Sequence, residues 1–339
     1  MPFQRPMSMK FARFLVLLIL PLTLLLSCSK DFSINDDWKE IMIVYGLLDP
    51  NDTIQYVKIT KAFLGPGNAL NYAQIPDSSS LAGKIRVRLD EYSGSTILNT
   101  IYLDTTTITN KDSGIFYFPN QLVYYTTAQL NKEHLYKITI TDTVTGVEVT
   151  SSTNLVNNFS IESPNSFSKA NFVQGSLTTT KWISALYGRR YQLNIRFSYW
   201  EYPTGNTSAM VKKSVDWEIF TDIKSKSLDG GEEMEYSFFG DGFYSSVKAQ
   251  VPYDPSMTRI ADSVEYFFAV ASEELSNYIE VTNPSNTIVQ EKPIYTNIEN
   301  GIGIFSSRTG NATFSPRKLR LSDRCYDSLY NGVVTGNLF

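Results

Sequence analysis

Apolar and polar positions along this chain repeat mostly with the period of a strand. Ile41–Leu48 is a nearly unbroken apolar run, ended by the turn cluster Asp49-Pro50-Asn51-Asp52, in which proline presets φ. Ile54–Thr60 alternates after its first residues, and Lys84–Asp90 alternates with Ile85, Val87 and Leu89 on one face. Further strands are predicted at Thr96–Leu103, Gly114–Phe118, Leu135–Thr141 and Val147–Thr150. Asp142-Thr143-Val144-Thr145-Gly146 supplies a hairpin connection, with glycine where a positive φ is needed. Seven short strands separated by turn chemistry, with no competing helical period, predict an all-β, immunoglobulin-like or prealbumin-like sandwich.

The pattern lapses into polar Asn, Ser and Pro residues around 154–168, which places a domain boundary near residue 157. The expected organisation is therefore a sandwich over 38–156 and a second, longer-stranded antiparallel β domain over 157–339. In the second half Tyr191–Trp200 alternates cleanly, and Val211–Thr221, Ser245–Val251, Asp262–Ala271 and Ile302–Ser307 read as strands. Ser272–Val281 reads as a short helix. Ser272 can cap it, acids fill its first turn, and Leu275, Tyr278 and Ile279 share a face.

The N-terminus follows a different rule. Arg5, Lys10 and Arg13 precede Phe14–Leu26, an apolar run of 13 residues, too short for the roughly 20 residues of a membrane-spanning helix. These are the features of a secretory signal peptide. It ends Leu25-Leu26-Ser27-Cys28, which resembles a bacterial lipobox and predicts lipidation at Cys28 after removal of residues 1–27. Leu26 is bulkier than the usual residue at that position. Residues 28–37 are a polar tether whose acids, following Lys30, resemble a surface-export signal. Cleavage takes 339 residues to 312 and, with three basic side chains lost, takes the net charge from −4 to −7. An acidic body of this kind is held at a membrane by its acyl chains.

Composition narrows the chemistry. An acidic chain with 34 Asp and Glu against 30 Lys and Arg is a poor nucleic-acid binder. One His and two Cys count against zinc sites, histidine-based triads and disulfide scaffolds. With Cys28 lipidated, Cys325 is left alone and reads as a half-buried small hydrophobe rather than a reactive nucleophile. Gly301-Ile302-Gly303 is a poor phosphate loop, since no strand–turn–helix unit follows. Glycines that let two backbones approach are the better reading. Glu232, Glu233 and Glu235 lack the spacing of a calcium loop, and Glu133-His134 lacks an orienting partner. No nucleophile elbow or His/Cys cluster is present, so no enzyme activity, cofactor or metal is expected.

Binding residues are sought elsewhere. The long connection from Leu64 to Ser80 carries Tyr72 and Ile75 and is the expected interaction loop. Tyr199, Trp200 and Tyr202 precede a Pro-Thr-Gly-Asn turn, and their rings suit a protein or sugar surface. Arg317, Lys318 and Arg320 form a basic cluster suited to an acidic partner. The alternation Lys318-Leu319-Arg320-Leu321 equally describes a charge-protected edge strand.

Two stretches carry a resemblance. They are Ile43–Asp49 with Val57–Gly65, and Pro293–Phe305, which reads PIYTNIENGIGIF. Together with the lipobox they resemble a domain-of-unknown-function family of Bacteroidota outer-membrane lipoproteins that looks associated with TonB-dependent transporters. The resemblance implies a lipid-anchored, surface-exposed protein with a binding or accessory role beside a TonB-dependent barrel. A free-standing adhesive or glycan-binding lipoprotein is the alternative. The motifs are structural, and they transfer no catalytic residue.

Overall fold

The computed structural model describes residues 41–62, 68–165, 167–283, 294–310 and 318–339. The expected signal peptide, Cys28, the tether and Arg317 lie outside the described residues. Strands make up 47% of the chain and helices 16%, an all-β protein with several sheets. Among the described residues, no helix is long and apolar enough to cross a membrane.

The first half forms β1 (Met42–Leu48), β2 (Gln55–Lys61), β3 (Ile85–Ser93), β4 (Thr96–Tyr102), β5 (Asp104–Ile108), β6 (Gln121–Thr126), β7 (Leu135–Asp142) and β8 (Glu148–Asn154). In β1 and β2 every second residue is buried: Met42, Val44 and Leu48, then Val57 and Ile59. The sheet β4-β3-β7-β8 packs its Val87, Ile138 and Val149 against these residues in one hydrophobic cluster. Two sheets sharing one apolar layer make a sandwich. At the β7–β8 turn Gly146 has φ +75° and the Asp142 carboxylate accepts the backbone N–H groups of Val144 and Thr145.

The second half adds β9 (Ser160–Ser163), β10 (Leu177–Ile183), β11 (Arg190–Pro203), β12 (Val211–Lys224), β13 (Glu233–Phe239), β14 (Met257–Ala271) and β15 (Gly301–Gly310). Its core is strongly aromatic. Trp182 stacks on Phe220 at 5.5 Å, and Phe172, Phe197, Trp217 and Phe243 interlock within 5.0–6.3 Å of one another where they touch. Buried apolar residues up to Leu155 and from Val156 onward fall into separate clusters, except that Ile298 and Phe305 join the first. The hydrogen bonding does not divide there. One eight-stranded sheet, in the order β12-β11-β14-β15-β1-β2-β6-β5, takes strands from both sides of residue 157, and the described residues form one compact unit.

The joint is the parallel pair β1–β15, in register from Met42↔Gly301 to Leu48↔Ser307. Two glycines permit it. A Cβ on Gly303, whose φ is +114°, would lie 2.1 Å from the Val44 carbonyl oxygen, and one on Gly46 would lie 2.9 Å from the Phe305 ring. The Asn297 side-chain amide completes the joint by donating to the Phe305 carbonyl and accepting the Phe305 N–H. The glycines of Gly301-Ile302-Gly303 thus allow close backbone approach.

Two strand expectations are corrected. Gly114–Phe118 is a loop, and the strand begins after Pro119, at Gln121. Proline has no N–H for the ladder, so the short apolar run before it cannot continue into β6. Of the expected strand Ser245–Val251, all but the C-cap Val251 belongs to the helix Asp241–Gln250, which buries Phe243, Tyr244 and Val247. A spacing of three and four residues is helical, and tertiary burial of that face decides the matter. The helix Glu273–Thr282 forms as expected after Ser272, but the Ser272 hydroxyl bonds Glu274 and Ser306 rather than the helix backbone.

Candidate functional site

Outward-facing positions of β1 and β2 alternate with the core positions, so Ile43, Tyr45, Lys58 and Thr60 share the outer face of the large sheet. At the end of the sheet where β1 begins and β2 ends, two connections rise over this face. One runs through the helices Ala69–Ala73 and Pro76–Ser79. The other is the connection 109–120, between β5 and β6. They are tied together: the Tyr117 N–H donates to the Ala73 carbonyl at 2.9 Å, and the Gln74 amide donates to the carbonyls of Gly114 and Ile115. The Asn68 side chain caps the first helix by accepting the Leu70 N–H.

Between sheet and loops lies a cavity of about 780 Å³. Its lining includes the apolar and aromatic residues Ile43, Tyr45, Phe116 and Tyr117, together with Pro76, Ser79, Ser80, Asn120 and Gln121. Lys58, Lys61 and Lys111 also line it, and among the described residues lining it none is acidic. Lys111 Nζ donates to the Tyr117 carbonyl at 2.6 Å and stands 5.9 Å from the centre of the Phe116 ring. Burial, and after it the charge of Lys111, holds the Lys58 ammonium below the usual lysine range. Tyr45 also meets Tyr278 of the helix Glu273–Thr282 edge-on at 6.4 Å.

The residues singled out from sequence fall in several places. Tyr72 and Ile75 lie in the two-helix connection, half-buried and 48% exposed respectively, while that connection supplies the cavity wall through Pro76, Ser79 and Ser80. Tyr199 is a correction: it is 3% exposed, stacked on Phe197 and edge-on to Phe339, so it is core. Trp200 and Tyr202 are half-buried within β11, which continues to Pro203, and Lys212 Nζ lies 5.6 Å from the centre of the Trp200 ring. Lys318 and Arg320 are exposed, with Lys318 3.6 Å from Glu265. The leucines between them are buried: Leu319 bridges Val264 and Leu321 bridges Ala170.

Sequence reasoning did not single out Tyr45, Lys58, Lys111 or Phe116. Lys58 and Tyr45 each occupy the polar or outward phase of an alternating strand, a signal that locates a face but not what covers it. His134 bonds Glu91 at 2.7 Å rather than its neighbour Glu133. Glu235 pairs with Lys181 at 2.9 Å, and Glu232 accepts the Lys226 N–H. The free Cys325 is fully buried, and burial pushes its thiol up despite a hydrogen bond from Tyr244. Comparison with protein-family models finds no match for this chain, and comparison with curated protein sequences finds none either.

Proposed function

We propose that this is a lipid-anchored outer-membrane protein whose role is binding, as an accessory beside a TonB-dependent transporter. The observation that carries the binding role is the cavity between the sheet face and the two tied loops. Its size is that of a small-molecule site, which spans about 300–1,000 Å³, and its lining combines an apolar wall with a few polar and charged groups. The membrane setting is supported by the basic and apolar N-terminal run ending at Cys28. Twelve residues lie between Cys28 and Ile41, a reach of about 45 Å when extended. The first-half sandwich is read as immunoglobulin-like, supported by the Tyr136 hydroxyl, which accepts the Asn131 N–H five residues upstream.

Affinity capture of the full-length protein from native outer membranes in mild detergent tests the role. Recovery of a TonB-dependent barrel at near-equal amount is expected. Recovery of the lipoprotein alone at several detergent strengths would replace the accessory reading with a free-standing adhesive or glycan-binding one. A Cys28→Ser variant should lack acyl chains by mass spectrometry, and normal acylation of that variant would remove the anchor from the proposal.

A further inference from the structure

Many cationic groups among the described residues are matched by an acid. Lys169 pairs with Asp323, Lys181 with Glu235, Arg196 with Asp216, Lys212 with Asp262 and Lys224 with Glu280, all within 2.9 Å. In a chain of net charge −4, three lysines line one concavity and none of its described lining residues is acidic. Lys58 and Lys111 lie near enough to repel each other, and no ion pair within 4.0 Å is formed by Lys58 among the described residues. Like charges gathered in a half-buried apolar site raise the free energy of the empty state, and an anion placed between them would remove that cost.

We propose that the cavity binds an organic anion, a carboxylate, sulfonate or phosphate borne on an apolar or aromatic body. Lys58 and Lys111 would take the anionic group. Ile43, Tyr45 and Phe116 offer the apolar wall, and Ser79, Ser80, Asn120 and Gln121, which also line the cavity, offer hydroxyls and amides for neutral polar substituents. Lys111 is already oriented by its bond to the Tyr117 carbonyl, which leaves two of its three ammonium protons for a ligand. The tie between the two loops holds that carbonyl in place. This inference rests on the reading of the cavity as a binding site, and it specifies the ligand's charge.

The test is calorimetric titration of the full-length protein in a neutral detergent. Three probes are used: naphthalene-2-sulfonate, its neutral counterpart 2-naphthalenemethanol, and dihexanoylphosphatidylglycerol. The sulfonate is expected to bind at least tenfold more tightly than the alcohol, and more weakly as salt is raised. Lys58→Met should weaken the sulfonate at least tenfold, whereas Lys58→Arg should change it less than threefold. The thermal midpoint of Lys58→Met should equal or exceed that of the parent, since a half-buried charge without an ion-pair partner is removed, and this separates lost binding from lost folding. Tighter binding of the short-chain lipid than of the sulfonate would assign the anion to a lipid headgroup, and the reverse to a soluble ligand; both support an anion site. Equal binding of sulfonate and alcohol, unaffected by Lys58→Met, would overturn the inference and leave a neutral-ligand site standing. Absence of binding by all three probes would overturn the inference, while the membrane and partner assignments would still be judged by affinity capture.

Discussion

Replacement of Gly303 by alanine probes the joint on which the architecture depends. The new Cβ would sit 2.1 Å from the Val44 carbonyl oxygen and 3.0 Å from its carbon, against an ordinary contact of 3.4–4 Å. Relief requires β1 and β15 to part by about 1 Å, because both close atoms are backbone and no side chain can rotate away. The positive φ alone costs about 1 kcal/mol for a residue with a Cβ. Two or three ladder bonds, worth about 1 kcal/mol each net, would be weakened. Phe305, fully buried two residues along, would lose part of its packing against Gly46. The total is about 3–5 kcal/mol, a large share of the roughly 5–15 kcal/mol that stabilises a protein domain. Equilibrium urea unfolding of the full-length protein in detergent measures it, with Gly94→Ala as the control. Gly94 also has a positive φ, +59°, but nothing lies within 4 Å of its Cβ position, so it should lose only about 1 kcal/mol. A Gly303→Ala loss no larger than that of Gly94→Ala would refute close backbone approach as the basis of the joint.

Other sites give independent tests. Arg259, buried against Glu201 at 2.7 Å and bonded to the carbonyls of Leu338 and Pro252, should cost about 3–5 kcal/mol in urea when replaced by leucine, because Glu201 loses one of its two cationic partners. Burial alone pushes the Glu201 carboxyl up, but the bonds from Lys213 and Arg259 outweigh it and hold the group below the usual carboxylate range. Its stabilising contribution is therefore complete above the unfolded value, about 4.3, and is lost as pH falls through the lower folded value. Glu201→Gln should flatten that acid limb in a pH series of unfolding midpoints, and an unchanged limb would contradict the assignment. Tyr136→Phe leaves the Asn131 N–H without its acceptor and should lose about 1–3 kcal/mol, read from the shift in urea midpoint at constant slope. Cys325 should resist a water-soluble disulfide reagent in the folded protein and react once urea unfolds it; rapid labelling in the native state would contradict its burial.

Much of this protein was legible one strand at a time. The alternation of Ile85, Val87 and Leu89, the turn at Asp49–Asp52 and the helix after Ser272 are local consequences of side-chain period and turn chemistry, and they reappear in the fold. So does the structural role of Gly301 and Gly303, because a glycine inside a strand pattern signals close approach whatever the partner. The basic and apolar N-terminal run with its cysteine is a linear signal and is readable only as one. Where local pattern and context disagreed, context won: the apolar residues of 243–247 became one buried face of a helix, and the run before Pro119 became an exposed loop because proline cannot donate to the ladder.

What no reading along the chain could supply is the partner of each surface. Ile43–Leu48 and Ile302–Ser307 are more than 250 residues apart, and their parallel pairing, which carries one sheet through both halves, is a long-range choice fixed by shape at Gly46, Gly303 and Phe305. The cavity has the same origin. Tyr45, Lys58, Ser79, Lys111 and Phe116 come from four separate segments, and each taken alone is an unremarkable outward side chain. Only the docking of two loops over one sheet face brings three lysines together in an acidic protein. Charge proximity depends on distance in space, and sequence separation does not encode it.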